Sequence, residues 1–75
     1  MKQYRLGSAE FVSAPGLVRW AINGAAFEDD RPAMINVVAS TWNVPPEAAK
    51  ALLLQQVPYS VEGETVVFAF GKEAS

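Results

Sequence analysis

Residues 59–70, YSVEGETVVFAF, alternate apolar and polar side chains, break at a glycine and alternate again. That is the pattern of two strands joined by a tight turn. A two-residue turn at Glu62-Gly63 sets Val61 opposite Glu64, Tyr59 opposite Val66 and Val57 opposite Phe68. One face then carries Val57, Tyr59, Val61, Val66, Phe68 and Phe70; the other carries Ser60, Thr65, Val67 and Ala69. So lopsided a hairpin is expected to lay its apolar face on helices.

Helical spacing accounts for most of what precedes it. In SAPGLVRWAINGAAF, Leu17, Val18, Ala21, Ile22 and Ala25 share one face, with Arg19 and Asn23 opposite. Ser13 can cap, Pro15 suits a first turn and Gly24 suits an end, which predicts a helix over 14–24. The acids Glu28, Asp29 and Asp30 ahead of Pro32 signal a second helix start. Met34, Ile35, Val38 and Trp42 continue it at helical spacing, although the β-branched residues within 33–42 keep a strand as the rival reading. In NVPPEAAKALLLQQ, Asn43 is the expected cap, Pro45 and Pro46 fit the first turn, and Ala48, Ala49, Leu52 and Leu53 form a buried stripe. Near the N-terminus, KQYRL puts Tyr4 and Leu6 on one side of a short extended segment.

The expected fold is therefore α+β: one small domain over residues 1–75, with a short N-terminal strand, about three helices and a C-terminal β-hairpin packed on the helices. Its core is expected to hold Leu17, Val18, Ile22, Val38, Trp42, Leu52, Leu53, Tyr59, Val66 and Phe68. The ends, residues 1–7 and 71–75, are the places expected to fray. Whether the N-terminal segment pairs with the hairpin stays open.

Composition narrows the chemistry. The chain has no cysteine and no histidine. It can form no disulfide or thiolate zinc site, and it lacks the commonest general base. Ser8, Ser13, Ser40 and Ser60 have no histidine to activate them, and nothing in the sequence sets Lys50 or Lys72 beside a serine. The isolated glycines make no phosphate-binding loop. The acids at 28–30 match no calcium loop and are explained by the helix start, while Glu62 and Glu64 flank an exposed turn rather than a cleft. These features argue against an enzyme and imply no cofactor and no metal.

Eight acids against six bases, with the bases scattered along the chain, argue against a dedicated nucleic-acid binder. The order helix, short turn, helix, hairpin nevertheless has the layout of a winged-helix DNA-binding module, which is the alternative reading. Its recognition helix would offer Lys50 and Gln55 but also Glu47, and its wing tip carries two glutamates.

The leading expectation is a small non-enzymatic protein-binding or adaptor module, with a protein partner or a homo-oligomer as its target. Half of the residues are apolar, more than so short a chain readily hides. Leu54 falls about 140° from the centre of the Leu52/Leu53 stripe, beside Lys50, and Trp20 sits at the edge of the first helix's apolar face. Trp20, Leu54, Lys50 and, on the hairpin, Ser60 and Val67 are the candidate partner-binding residues, with an open strand edge as a second route. The sequence shows no membrane-length apolar run and no leader-like N-terminus, which points to a cytoplasmic protein.

Overall fold

The computed structural model describes residues 2–10 and 12–71, and its element order is β1 (Lys2–Leu6), α1 (Ala14–Ala25), α2 (Arg31–Trp42), α3 (Pro46–Leu53), β2 (Tyr59–Glu62) and β3 (Thr65–Phe70). The strands form one antiparallel sheet in the order β1-β3-β2. The expected α+β architecture is thus present, and the N-terminal strand does pair with the hairpin, Lys2 opposite Phe70 through Leu6 opposite Val66. The C-terminal stretch expected to fray lies, from residue 72 on, outside the described residues.

The helices start and stop for identifiable reasons. Ser13 accepts a hydrogen bond from the Gly16 N–H at 3.1 Å and caps α1. That helix runs past Gly24, which packs inside it rather than ending it, because the Met34 side chain lies where a Cβ would be. Residues 31–42 are helix, not strand, so the punctuation by acids and Pro32 outweighs the β-branched content. Asn43 was expected to open α3; it instead closes α2 in the left-handed conformation, φ 53°. That conformation is open to asparagine at little steric cost, and it releases the Val44 N–H to the Ala39 carbonyl. Pro45 takes the N-cap position of α3 and Pro46 its first turn. The end of α3 shows the same device: Gln55 is left-handed at φ 56°, with Gln56 N–H bonded to Ala51 O and Gln55 N–H to Leu52 O.

The hairpin turns one residue later than expected. Val61 pairs with Val66 and Glu62 with Thr65, leaving Gly63-Glu64 as the loop. Gly63 has φ +66° whereas Glu64 is not left-handed, the arrangement of a turn with glycine at its first central position. A loop at Glu62-Gly63 would have placed glutamate at that first position, where a primed turn needs positive φ. Because the pairing shifts by two residues, the assignment of side chains to faces is unchanged.

The helices cover only part of the sheet. Helices α1 and α3 pack on β3, and the core joins Leu6, Val66 and Phe68 to Val18, Val38, Leu52, Leu53 and a set of alanines: 14, 21, 25, 48 and 49. Those small side chains let the helix backbones approach closely, and all but Ala14 lie on the apolar faces that helical spacing predicts. Ile22 and Trp42 are half-buried against this core, and Leu17 is half-buried outside it. Tyr59, expected within the core, is 36% exposed, because β2 overhangs the helical layer and is exposed along its whole length.

A candidate protein-binding edge

Strand β2 is an outer strand bonded on one side to β3. In a two-residue hairpin the residues flanking the loop exchange hydrogen bonds, so the Glu62 backbone groups point to β3. Alternation then aims Ser60 inward and turns the N–H and C=O of Tyr59 and Val61 outward, away from the sheet. Pro58 shares the inward parity of Ser60, so its missing N–H removes no outward donor. The side chains of Tyr59 and Val61 lie on the helix side with Val66 and Phe68, yet Val61 is 50% exposed. The edge therefore combines free backbone hydrogen-bonding groups with an apolar aromatic–aliphatic pair.

Local sequence builds this edge. The left-handed Gln55 ends α3 sharply, Pro58 ends the connector, and Tyr59-Ser60-Val61 favours extended backbone. On the opposite sheet face, Arg5 donates to Glu62 Oε1 at 3.2 Å. Arg5 stands opposite Val67 and Glu62 opposite Thr65, so this ion pair spans β3 from one outer strand to the other.

The five candidate residues are dispersed. Ser60 is exposed on β2 directly opposite Val67, and Val67 itself, in the central strand under the Arg5–Glu62 span, is only 4% exposed. Trp20 projects from α1 with half its surface exposed. Leu54 instead lies half-buried in an open groove of about 520 Å³ with Ile22, Ala26, Phe27, Arg31 and Leu53. Ile22 is about 160° around α1 from Trp20, so the fold sets Trp20 and Leu54 on different sides of that helix. Lys50 is exposed one turn before Leu54. Sequence reasoning passed over Phe27, at 66% the most exposed of the large apolar side chains described. Its signal was an aromatic residue stranded between a helix end and an acidic turn.

Electrostatics add little to the helical surface. The exposed face of α3 carries both an acid, Glu47, and a base, Lys50, Arg5 is engaged by Glu62, and the Arg31 Nε donates to the Ala25 carbonyl at 3.2 Å. Among the described residues no group of three acidic, histidine or cysteine side chains is placed to hold a metal ion, and no helix is long and apolar enough to cross a membrane.

These elements define a small α+β domain whose three-stranded antiparallel sheet carries its helices on one face and leaves one strand overhanging. No protein-family profile matches the chain, and comparison with curated proteins and with solved structures finds no match.

Proposed function

We propose that this chain is a non-enzymatic protein-binding module that takes an extended partner segment along the outer edge of β2. The observation that carries the reading is the exposed pair Tyr59 and Val61 on an outer strand that, among the described residues, has no further strand along its outward backbone groups. A strand added there would satisfy those groups and cover both side chains. Trp20 and the Leu54–Phe27 groove are secondary apolar surfaces on other sides of the molecule.

The experiment is affinity capture with the intact chain and with two variants, Val61→Lys and Arg19→Ala. Val61→Lys sets a charge on the edge without disturbing the buried core, and Arg19 is an exposed α1 residue away from it. Bound proteins that are lost with Val61→Lys and kept with Arg19→Ala support the edge. An unchanged set with both variants overturns it.

A winged-helix DNA binder is the competing reading, supported by the succession of α2, a short turn, α3 and the hairpin. Against it stand Glu47 in the first turn of α3 and Glu62 and Glu64 at the hairpin tip, where phosphates would approach. A duplex-DNA titration at low salt is expected to give no shift; salt-sensitive binding would favour DNA over the edge reading.

A further inference from the structure

We infer that the strand added to β2 is β2 of a second copy of this chain, giving a two-fold dimer with a continuous six-stranded sheet. The inference rests on the reading of β2 as a binding edge and specifies its occupant. The argument is one of self-complementarity. A two-fold dimer requires the same strand to satisfy itself in the antiparallel direction, and the parity of β2 permits this in one well-matched register.

Only Tyr59 and Val61, within β2, direct their backbone groups outward. In an antiparallel self-pairing centred on Ser60, Tyr59 of one copy faces Val61 of the other, and Val61 faces Tyr59. Each of these is then a hydrogen-bonded pair, so every outward group of the strand finds a partner. Centring on Tyr59 or on Val61 instead leaves one of the two residues beyond the paired strand. The Ser60 centre also sets an aromatic ring against a β-branched side chain twice over, on the helix side of the sheet, where such pairs are favourable. Tyr59 and Val61 are the two side chains that the helices fail to cover. The two overhangs would meet between the two helical layers and close over each other's apolar surface.

Charge and space fit the same register. It places Glu62 opposite Pro58 of the other copy, so no carboxylate faces a carboxylate across the dyad. Glu62 is further held by Arg5 of its own chain on the opposite face of the sheet. The main helix contacts of the sheet, from α1 and α3, are made on β3, and β2 is exposed along its whole length, which leaves it open to approach by a second copy. The dimer axis passes through Ser60, whose exposed side chain lies beside Val67 on the sheet face away from the helical core.

Two measurements test this. Sedimentation equilibrium over micromolar to millimolar concentrations is expected to show twice the chain mass, and Val61→Lys is expected to weaken association by about tenfold or more, as charges on edge strands do. Because the chain has no cysteine, Ser60→Cys introduces a single thiol at the dyad. There, a non-hydrogen-bonded pair brings Cα atoms to about 4.5 Å, within disulfide range. Mild oxidation should give a disulfide dimer for Ser60→Cys and not for the α1 control Asn23→Cys. A single-chain mass throughout, with no faster cross-linking of Ser60→Cys than of Asn23→Cys, overturns self-pairing. If that monomer still loses a different captured protein through Val61→Lys, self-pairing falls and the binding edge stands; if the capture is also indifferent to Val61→Lys, both fall.

Discussion

The indole N–H of Trp42 donates a 2.7 Å hydrogen bond to the carbonyl of Gly7, tying the last residue of α2 to the residue after β1. The ring itself is half-buried against the core. Trp42→Phe keeps an aromatic ring there and deletes the donor. Its expected cost is about 1–2 kcal/mol, a lost hydrogen bond plus incomplete filling. Urea unfolding of the two proteins measures it, and equal midpoints would show that the bond contributes nothing.

Ser8 plays a comparable part at the other end of the same connection. Its hydroxyl accepts from the Ala14 N–H at 3.2 Å and donates to the Glu64 carbonyl at 3.2 Å, joining the start of α1 to the hairpin loop. Ser8→Ala leaves a helix-start N–H in a part-buried place without its acceptor. A loss of about 1–2 kcal/mol is expected, with faster hydrogen exchange at the Ala14 amide as its local signature.

Gly24 and Met34 form a matched pair across α1 and α2. A Cβ on Gly24 would lie 2.7 Å from the Met34 sulfur and 2.9 Å from its Cγ, so the methionine must move if alanine is installed. Alanine gains about 1 kcal/mol of helix propensity over glycine, but overpacking costs about 1–3 kcal/mol. Gly24→Ala is therefore expected to destabilise in the Met34 background and to stabilise once Met34→Ala has removed the obstruction. A double-mutant cycle by chemical denaturation reads the coupling; additive effects would refute the contact.

Gln55 holds a left-handed conformation at the end of α3. Such backbone costs a side-chain-bearing residue about 1–2 kcal/mol, while glycine enters it freely at some entropic expense. Gln55→Gly should raise stability by about 0.5–1 kcal/mol, seen as a melting temperature a few degrees higher. A lower melting temperature would mean that the glutamine side chain offsets its own strain.

The Arg5–Glu62 pair, with both side chains more than half exposed, belongs to the class of surface ion pairs that contribute little. Glu62→Gln is expected to shift stability by less than about 0.5 kcal/mol, with the difference fading in molar salt. A larger, salt-resistant loss would show that the span over β3 holds the sheet together.

Periodicity carried α1, α3 and the hairpin because each has an amphipathic rhythm that neighbours do not have to supply; α2 is only weakly amphipathic, and the acids ahead of Pro32 marked its start. The faces of the hairpin were legible for the same reason, even though its loop lies at Gly63-Glu64. Extent of coverage was not legible. Nothing in the spacing of Tyr59 and Val61 says that β2 stays exposed along its whole length, and so Tyr59 read as core and Val61 as part of the face laid on the helices. Val67 read as accessible because its face is polar, while its burial depends on a central strand flanked by Arg5 and Ser60. Ala21, Ala25, Ala48 and Ala49 were legible on their apolar faces, whereas Ala14, buried at the start of α1, carries too little apolar signal to stand out. The separation of Trp20 from Leu54 follows from how α3 docks on α1, a relation between elements that no single helical wheel contains.

The middle strand of the sheet is also the last of the three along the chain. Neither β1 nor β2 has a strand to pair with until β3 arrives, and β1 must wait across nearly the whole described chain for Val66 to meet Leu6. The helices can form from local contacts, but closing so long a loop is entropically slow. During synthesis the β1 segment thus waits for its partner until β3 has left the ribosome, and the described sheet assembles late, around β3.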